Sequence, residues 1–439
     1  MSVDHVAALI DRNFARSGAE LSVGGVPVSA LADEFGTPLF VYAGDVMDRQ
    51  WTALRAALPP RFDVCYSVKA NPHPAILRRF LARGAGLEIA SAGELHLALA
   101  AGCAPERILF AGPGKTDTEL ELALKHGVGE IHVESVFEIQ RVGAIARRFG
   151  ATARVAIRVN PTAEAQGGAM RMGGKAAPFG IDEEDLEGAI AHAVADGALD
   201  VGGVHLFSGT QVLDATTLLT QWRKGVDVAR RAGAILGRPL RTLDLGGGLG
   251  IPYFANEHPL DLAAVGGGAA SIVADTARDP WLATTRFVVE PGRFLVGEAG
   301  VYVARVTDVK LSRGKRFLIL DGGMHHHLAA SGNLGQVIKR NFPLAVATRL
   351  TTPTAGGVDV VGPLCTPLDT LARDLALPAV VPGDLVAVFQ SGAYAGAASP
   401  LGFLSHATPP EVLVDDGRAR LIRRRGTSED LVADLVAES

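Results

Sequence analysis

Three stretches far apart in the chain carry side chains that could act together. "CYSVKANPHP" (65–74) puts Lys69 at the end of an apolar, aromatic and β-branched run, and Asn71-Pro72 close that run as a turn. A lysine this near a core either snorkels to water or is held for chemistry. "LDLGGGLG" (243–250) follows another apolar run and contains Gly246, Gly247 and Gly248 in succession. Their bare N–H groups could wrap a phosphate, although a plain turn is an equal reading of these residues alone. The stretch lacks a P-loop lysine and follows the seventh strand candidate, which argues against a nucleotide. "VVEPGRFLVG" (288–297) ends an apolar run with Glu290 and offers Gly292 and Arg293 just beyond. A surface turn with an incidental ion pair would explain it too.

Taken together, these are the protein groups that pyridoxal 5'-phosphate requires. A lysine can form an imine with its aldehyde, a glycine loop can hold its phosphate, and a carboxylate can keep its pyridine nitrogen protonated.

The elements that must position these groups are also legible. Between residues 62 and 290, short apolar runs ("FDVCYSV", "GLEIA", "RILFA", "EIHVE", "RVAIRVN", "GVHLFS", "TLDLG", "RFVVE") alternate with helix-patterned segments, several of them ending in glycine. Such alternation predicts an α/β fold, a (β/α)₈ TIM barrel with its site at the C-terminal ends of the strands. Lys69, Glu88, Ser91, Gly112, Glu134, Asn160, Ser208, Gly246 and Glu290 fall at or just after those ends. Beyond residue 300 the chain reads as strands separated by Gly, Pro and Asp turns. The expected organisation is an N-terminal segment (1–40) joining the β-rich part, a cofactor-binding barrel (41–295) and a C-terminal β-barrel or sandwich (296–439).

Composition narrows the class. With 439 residues, 48% of them hydrophobic, the chain can bury a large core, and a net charge of -5 without a basic stripe argues against nucleic acid. Three widely spaced cysteines suggest neither a disulfide framework nor a zinc site. The N-terminus lacks the apolar stretch of a secretory signal, and no apolar run approaches the ~18 residues of a membrane span. A cytoplasmic protein without membrane contact is expected.

In this order, "YSVKAN", "EIASAGEL", "DLGGGLG", "EPGR", "GPLCTPLD" and "SGAY" resemble the fold type III pyridoxal-phosphate decarboxylases, which include diaminopimelate and ornithine decarboxylases. The resemblance covers nearly the whole chain and implies an alanine racemase-type barrel. It makes Lys69 the cofactor-bearing lysine, Glu290 the partner of the pyridine nitrogen, and Gly246, Gly247, Gly248 and Arg293 phosphate-site residues. Glu88, Arg158, His205 and Gly292 become further cofactor contacts. It also implies a homodimer in which Cys365, as catalytic thiol, and Tyr394 enter the other subunit's site. Where the family commonly stacks a histidine on the cofactor, "GVHLFSGTQ" has Phe207, and Thr210 replaces a phosphate-binding serine. His205 reads equally well as a core histidine.

Departures also bear on the substrate. Ornithine and diaminopimelate decarboxylases carry an acid after the cysteine, to meet a distal ammonium, and this chain has Thr366. That fits neither diamino acid, and suggests an L-amino acid or derivative in specialised biosynthesis, including glutamyl groups tethered to carrier proteins. "MHHHLAAS" invites a metal reading, but on a strand only His325 and His327 would share a face. Both are candidate substrate contacts instead, and no metal is expected. Competing readings are a diaminopimelate decarboxylase, an amino-acid racemase, which needs a second base across the ring, and a non-catalytic cofactor-binding regulator.

Overall fold

The computed structural model describes residues 5–162, 170–171 (backbone only), 176–207, 209–334, 336 and 338–436. Ser208 lies outside them. Two compact units emerge: Met1–Gln50 with Pro252–Glu257 and Leu295–Ser439, and Trp51–Ile251 with His258–Phe294.

In the second of these, all eight apolar runs are strands: β1 (Phe62–Ser67), β2 (Gly86–Ile89), β3 (Ile108–Phe110), β4 (Glu130–Val133), β5 (Ala153–Asn160), β6 (Leu199–Leu206), β7 (Thr242–Asp244) and β8 (Arg286–Val289). Each pairs in parallel with the next, and β8 returns to β1 with Phe287 opposite Phe62, closing the barrel. Part of the interior is conventional, with Cys65, Leu109 and Val288 forming a buried apolar cluster.

The helices start with a repeated local device. Ser91, Thr116 and Ser135 each accept the N–H of a glutamate three residues on, at the first turns of α1 (Ala92–Ala100), α2 (Asp117–His126) and α3 (Val136–Phe149). The glutamates Glu94, Glu119 and Glu138 reach back to the N–H groups of Ala90, Thr116 and Glu134, satisfying donors the helices leave over. α2 and α3 stop at Gly127 and Gly150, both left-handed. Glu138 has a second duty. Its other oxygen meets the Lys115 ammonium at 3.0 Å, and both side chains are almost fully buried. Burial lowers Lys115 from its ordinary value, against the pull of Glu138.

The other unit is built around the long strand Gly300–Ser312. It pairs antiparallel with Lys315–Leu320, Leu385–Val388 and Leu39–Ala43, and Leu39–Ala43 pairs in parallel with Glu411–Asp415. The end of the N-terminal segment thus runs into a strand of this unit, Leu39–Ala43. Within it the histidine run departs from expectation. Met324–His326 form a turn rather than a strand, because the N–H groups of His326 and His327 fold back onto the Gly323 carbonyl. Asp369 holds this turn to "GPLCTPLD": its carboxylate accepts the Met324 N–H at 2.6 Å and the Leu364 N–H at 2.9 Å. Side chains at Gly323 or Gly362 would strike its oxygens, since a Cβ at either would sit 2.2 Å from one.

Removing the Glu138 carboxylate would strand the buried Lys115 charge and leave the Glu134 N–H without its acceptor. Glu138→Ala should therefore cost about 3 kcal/mol or more of stability, read as a lowered midpoint in thermal or urea unfolding. Lys115→Met should cost less, because the Glu138 carboxylate it leaves behind still accepts the Glu134 N–H and can take up a proton.

Candidate active site

Lys69 follows β1 on a short 3-10 turn, Val68–Ala70. Its side chain is 44% exposed, and its Nζ lies 2.7 and 2.6 Å from the two oxygens of Glu88, at the end of β2. Ser67 Oγ donates to the same carboxylate. Burial opposes ionisation of Glu88, yet Lys69 and Ser67 together hold it below its ordinary value. The opening lysine is held beside a buried carboxylate.

Around the rim, Arg158 on β5 donates to Glu134 at 2.7 Å and packs over the Phe179 ring. Glu134 also accepts the N–H groups of Gly112 and Gly180. Asn160 donates to Asp182.

The glycine loop after β7 is tightly enclosed. Gly246 and Gly248 have φ of 69° and 93°, where side-chain-bearing residues are strained. A Cβ on Gly246 would meet the Leu206 carbonyl at 2.7 Å and the Phe207 ring at 2.9 Å, and one on Gly247 would meet the Glu290 carbonyl at 2.6 Å. The segment carrying Thr210 is stitched to this loop: Val212 N donates to Gly248 O, and Gly250 N to Val212 O. Phe207 thus lies against the glycines, and Thr210 is half-buried beside them. Gly292 is tight too, its Cβ position 2.7 Å from Ala70 Cβ.

Below the mouth, the barrel interior is polar. His132 on β4 and His205 on β6 face each other through their Nδ1 atoms at 3.0 Å. His132 Nε2 is 3.3 Å from Glu130, which accepts the Thr242 hydroxyl at 2.7 Å. His205 Nε2 is 3.7 Å from a Glu290 oxygen, and His132 Nε2 is 4.0 Å from Asp244. All five ionisable groups are buried. Burial raises Asp244 to about 7, with the charges of Glu130 and Glu88 adding to it. Burial and then Asp244 push Glu290 well above its ordinary value, and burial and His132 push His205 well below. Among the described residues, Glu290 Oε1, Asp244 Oδ2 and His205 Nε2 have no hydrogen-bond partner. His132, His205, Asp244 and Glu290 offer donor atoms within 4.8 Å of one another, a set chemically able to ligate a cation.

In the β-rich unit, Cys365 is exposed and Thr366 half-buried, its hydroxyl accepting the Leu368 N–H at 3.3 Å. Tyr394 is half-buried with φ 53°, left-handed for a large side chain. His327 is sealed in the core, with Nε2 against Ser391 and Nδ1 accepting the Ala330 N–H, and burial lowers it to about 3. That is a core histidine in this chain, not a surface one. His325 is equally buried, 3.7 Å ring-to-ring from His326 and 4.8 Å from His406, and lowered to about 4 by burial.

These residues suit pyridoxal phosphate. A buried acid with an unmatched oxygen, a strand-end lysine and a glycine loop too tight for any side chain share one barrel. Residues 45–297 match the family model for the pyridoxal-binding domain of pyridoxal-dependent decarboxylases. The chain belongs to that family. The decarboxylase is 40% identical to the L-glutamyl-[BtrI acyl-carrier protein] decarboxylase of Niallia circulans, over 92% of this chain and 95% of the relative. It is 33% identical to the diaminopimelate decarboxylase of Zymomonas mobilis, over 96% and 98%. The structure of the diaminopimelate decarboxylase from M. jannaschii superposes with a TM-score of 0.89 at 26% identity, covering 98% of this chain and 99% of that one. The decarboxylase is therefore an enzyme that uses pyridoxal phosphate to decarboxylate an amino acid.

Sequence reasoning overlooked Glu130, His132 and Asp244. Each was visible as an ionisable residue inside an apolar run, which is the signal that a strand's inward face is not purely structural.

Asp244 makes the pH dependence of stability testable. Its folded value near 7 exceeds the ordinary 3.8, so the folded decarboxylase keeps a proton that the unfolded chain has lost. Stability is therefore lost progressively as pH rises between those values. Asp244→Asn, which can still accept the Gly246 N–H that Asp244 accepts at 2.8 Å, should remove that loss. Relative to the natural chain, its melting temperature should rise at about pH 8 and stay nearly level at about pH 4.

Proposed function

We propose that this decarboxylase acts on an L-amino acid with no free distal ammonium, and that its substrate is a glutamyl group carried on an acyl-carrier protein. Thr366 carries the reading. At the position where the resemblance puts an acid for diamino acids, this chain has a neutral hydroxyl already engaged by its own loop. The nearby acid, Asp369, is buried and committed to two backbone N–H groups, so it does not replace the missing charge. A buried ammonium would find no partner there. Similarity to a glutamyl-carrier decarboxylase over nearly the whole chain supports the same substrate class.

Bound pyridoxal phosphate supplies a ring that accepts the electron pair left as the carboxylate departs. In our reading the chain's own groups do the rest. The Lys69 amine carries the cofactor, and Glu88 holds or takes its proton. The N–H groups of Gly246, Gly247 and Gly248, with Gly292, Thr210 and Arg293, hold the phosphate. Phe207 would pack against the cofactor ring, Arg158 and His205 would line the interior, and Glu290 would hold a proton for the pyridine nitrogen. Cys365 and Tyr394 complete the site of a second subunit in a cytoplasmic homodimer, where the Cys365 thiol returns a proton to the α-carbon. Exposure of Cys365 and the left-handed backbone of Tyr394 support that assignment.

Carbon dioxide release tests the substrate. The L-glutamyl thioester of a carrier protein should be turned over well above free diaminopimelate, lysine or ornithine. Thr366→Asp should shift relative specificity toward the diamines by roughly ten- to hundredfold, the worth of one charge-assisted hydrogen bond. Natural enzyme that prefers diaminopimelate would refute the reading.

A separate experiment tests the shared site. Mixed dimers of Lys69→Ala and Cys365→Ala subunits should regain part of the activity each lacks alone, because one of the two sites keeps both residues. Verified heterodimers that remain inactive would show that each subunit works on its own.

A further inference from the structure

Around Thr366 the β-rich unit carries large apolar side chains on its surface. Leu334, Ile338 and Leu368 are 40%, 78% and 51% exposed, and the cations Lys339 and Arg373 are exposed as well. Hydrogen bonds tie these residues to the loop that bears Thr366. Asn333 donates to the Leu368 carbonyl at 3.2 Å and accepts the Lys339 ammonium at 2.6 Å. Arg373 lies on the strand Thr370–Pro378, just beyond that loop. Its N–H donates to Asn341 Oδ1 at 2.9 Å, and its carbonyl accepts from Asn341 Nδ2 at 2.8 Å.

The segment that presents Lys339 is held at successive residues. Arg340 lies over the Phe254 ring at 3.5 Å and pairs with Glu257 at 3.3 Å. Phe342 is buried against Tyr253, with ring centroids 4.9 Å apart. The acids in reach are already committed. Glu257 accepts the N–H groups of Tyr253 and Phe254 besides pairing with Arg340, and Asp369 is buried on two backbone N–H groups. Asp374, next to Arg373, is turned onto the neighbouring strand, where a Cβ on Gly357 would sit 2.1 Å from its Oδ1. Among the described residues neither Lys339 nor Arg373 forms an ion pair. Two cations on a fixed support are left for a negative charge from outside the chain.

We propose that this surface receives the prosthetic arm of the carrier protein, with Lys339 and Arg373 holding its phosphodiester. The inference rests on the glutamyl-carrier reading of the substrate and deepens it. The α-carboxylate must be free to leave, so the glutamyl group is joined to the arm through its side-chain carboxyl, as a thioester. A thioester carbonyl accepts hydrogen bonds and cannot donate. The Thr366 oxygen takes the Leu368 N–H, which leaves the hydroxyl hydrogen to donate to such a carbonyl. Beyond the thioester, a phosphopantetheine arm carries methylenes, amides and a gem-dimethyl group, and it ends in a phosphodiester to the carrier. Leu334, Ile338 and Leu368 offer apolar cover to its middle, and an ammonium and a guanidinium suit the anion at its end. A free diamino acid has none of these parts and would leave the surface unused.

The test measures carbon dioxide release by the cofactor-loaded enzyme from side-chain thioesters of L-glutamate with pantetheine, with phosphopantetheine and with an intact acyl-carrier protein. The first two differ only in the phosphate. We expect kcat/KM to be about tenfold higher for the phosphorylated ester, through KM rather than kcat, and the two to converge as salt is raised. Lys339→Ala and Arg373→Ala should each remove most of that preference and raise KM for the carrier-bound ester by a similar factor. Lys339→Arg should keep it. Equal kcat/KM on the two small esters, a preference that survives in both alanine variants, or turnover of the carrier-bound ester alone would overturn the proposal and leave the substrate reading standing. No turnover of any thioester, with turnover of a free amino acid, would refute the substrate reading and the proposal together. One other occupant would fit the apolar side chains, a second copy of this chain. Ile338→Ser should therefore raise KM for both small esters without changing the mass in solution. Dissociation into monomers would assign the surface to a subunit contact and overturn the proposal.

Discussion

Everything at the mouth of this barrel answers to one constraint: carboxylates have been taken out of water. Glu88, Glu130, Asp244 and Glu290 are all buried, and no protein stabilises four like charges in so small a volume without countermeasures. The chain uses three. Lys69 and Ser67 neutralise Glu88 by direct contact. Glu130 stays ionised through His132 and Thr242. Among the described residues, Asp244 and Glu290 make no such close contact with a lysine or arginine, and burial raises both above their ordinary values, Asp244 to about 7. The acid just after β8 is thereby biased toward its protonated form, which suits a ring that must become cationic.

The barrel itself was legible because its strands are buried on both faces. They appear as largely apolar runs, each ending at or just before a charged, polar or glycine residue. The same property hid the interior cluster. His132 and His205 are 73 residues apart, and spacing carries no information about a contact made across a closed sheet. The histidine run 325–327 misled for the opposite reason. Adjacent histidines look like chemistry, whereas the Met324–His326 turn folds His327 into the core, where Ser391 and Ala330 satisfy it. Conspicuous composition marked a structural feature there, and inconspicuous single residues marked the site.

The helix starts show how much local sequence can settle without tertiary help. Ser91-Glu94, Thr116-Glu119 and Ser135-Glu138 each fix a first turn by reciprocal side-chain bonds, so α1, α2 and α3 begin where their own residues dictate. The connections from β2 to α1 and from β4 to α3 are just residues 90–91 and 134–135, which keeps Glu88 and Glu134 close to a fixed helix start.

Asp369 has a different reach. Its two oxygens occupy the space that side chains at Gly323 and Gly362 would need, and the same oxygens tie the turn at Met324 to the loop at Leu364. The three residues form a single steric lock across segments that are remote in sequence. "DGGM" and "GPLCTPLD" are therefore not free to diversify separately. A larger residue at either glycine is tolerable only if the aspartate shrinks or withdraws, and that releases both backbone N–H groups at once. Over evolutionary time the side chain at Thr366 can change with the substrate, while the path of the loop that bears it remains tied to a turn some forty residues earlier.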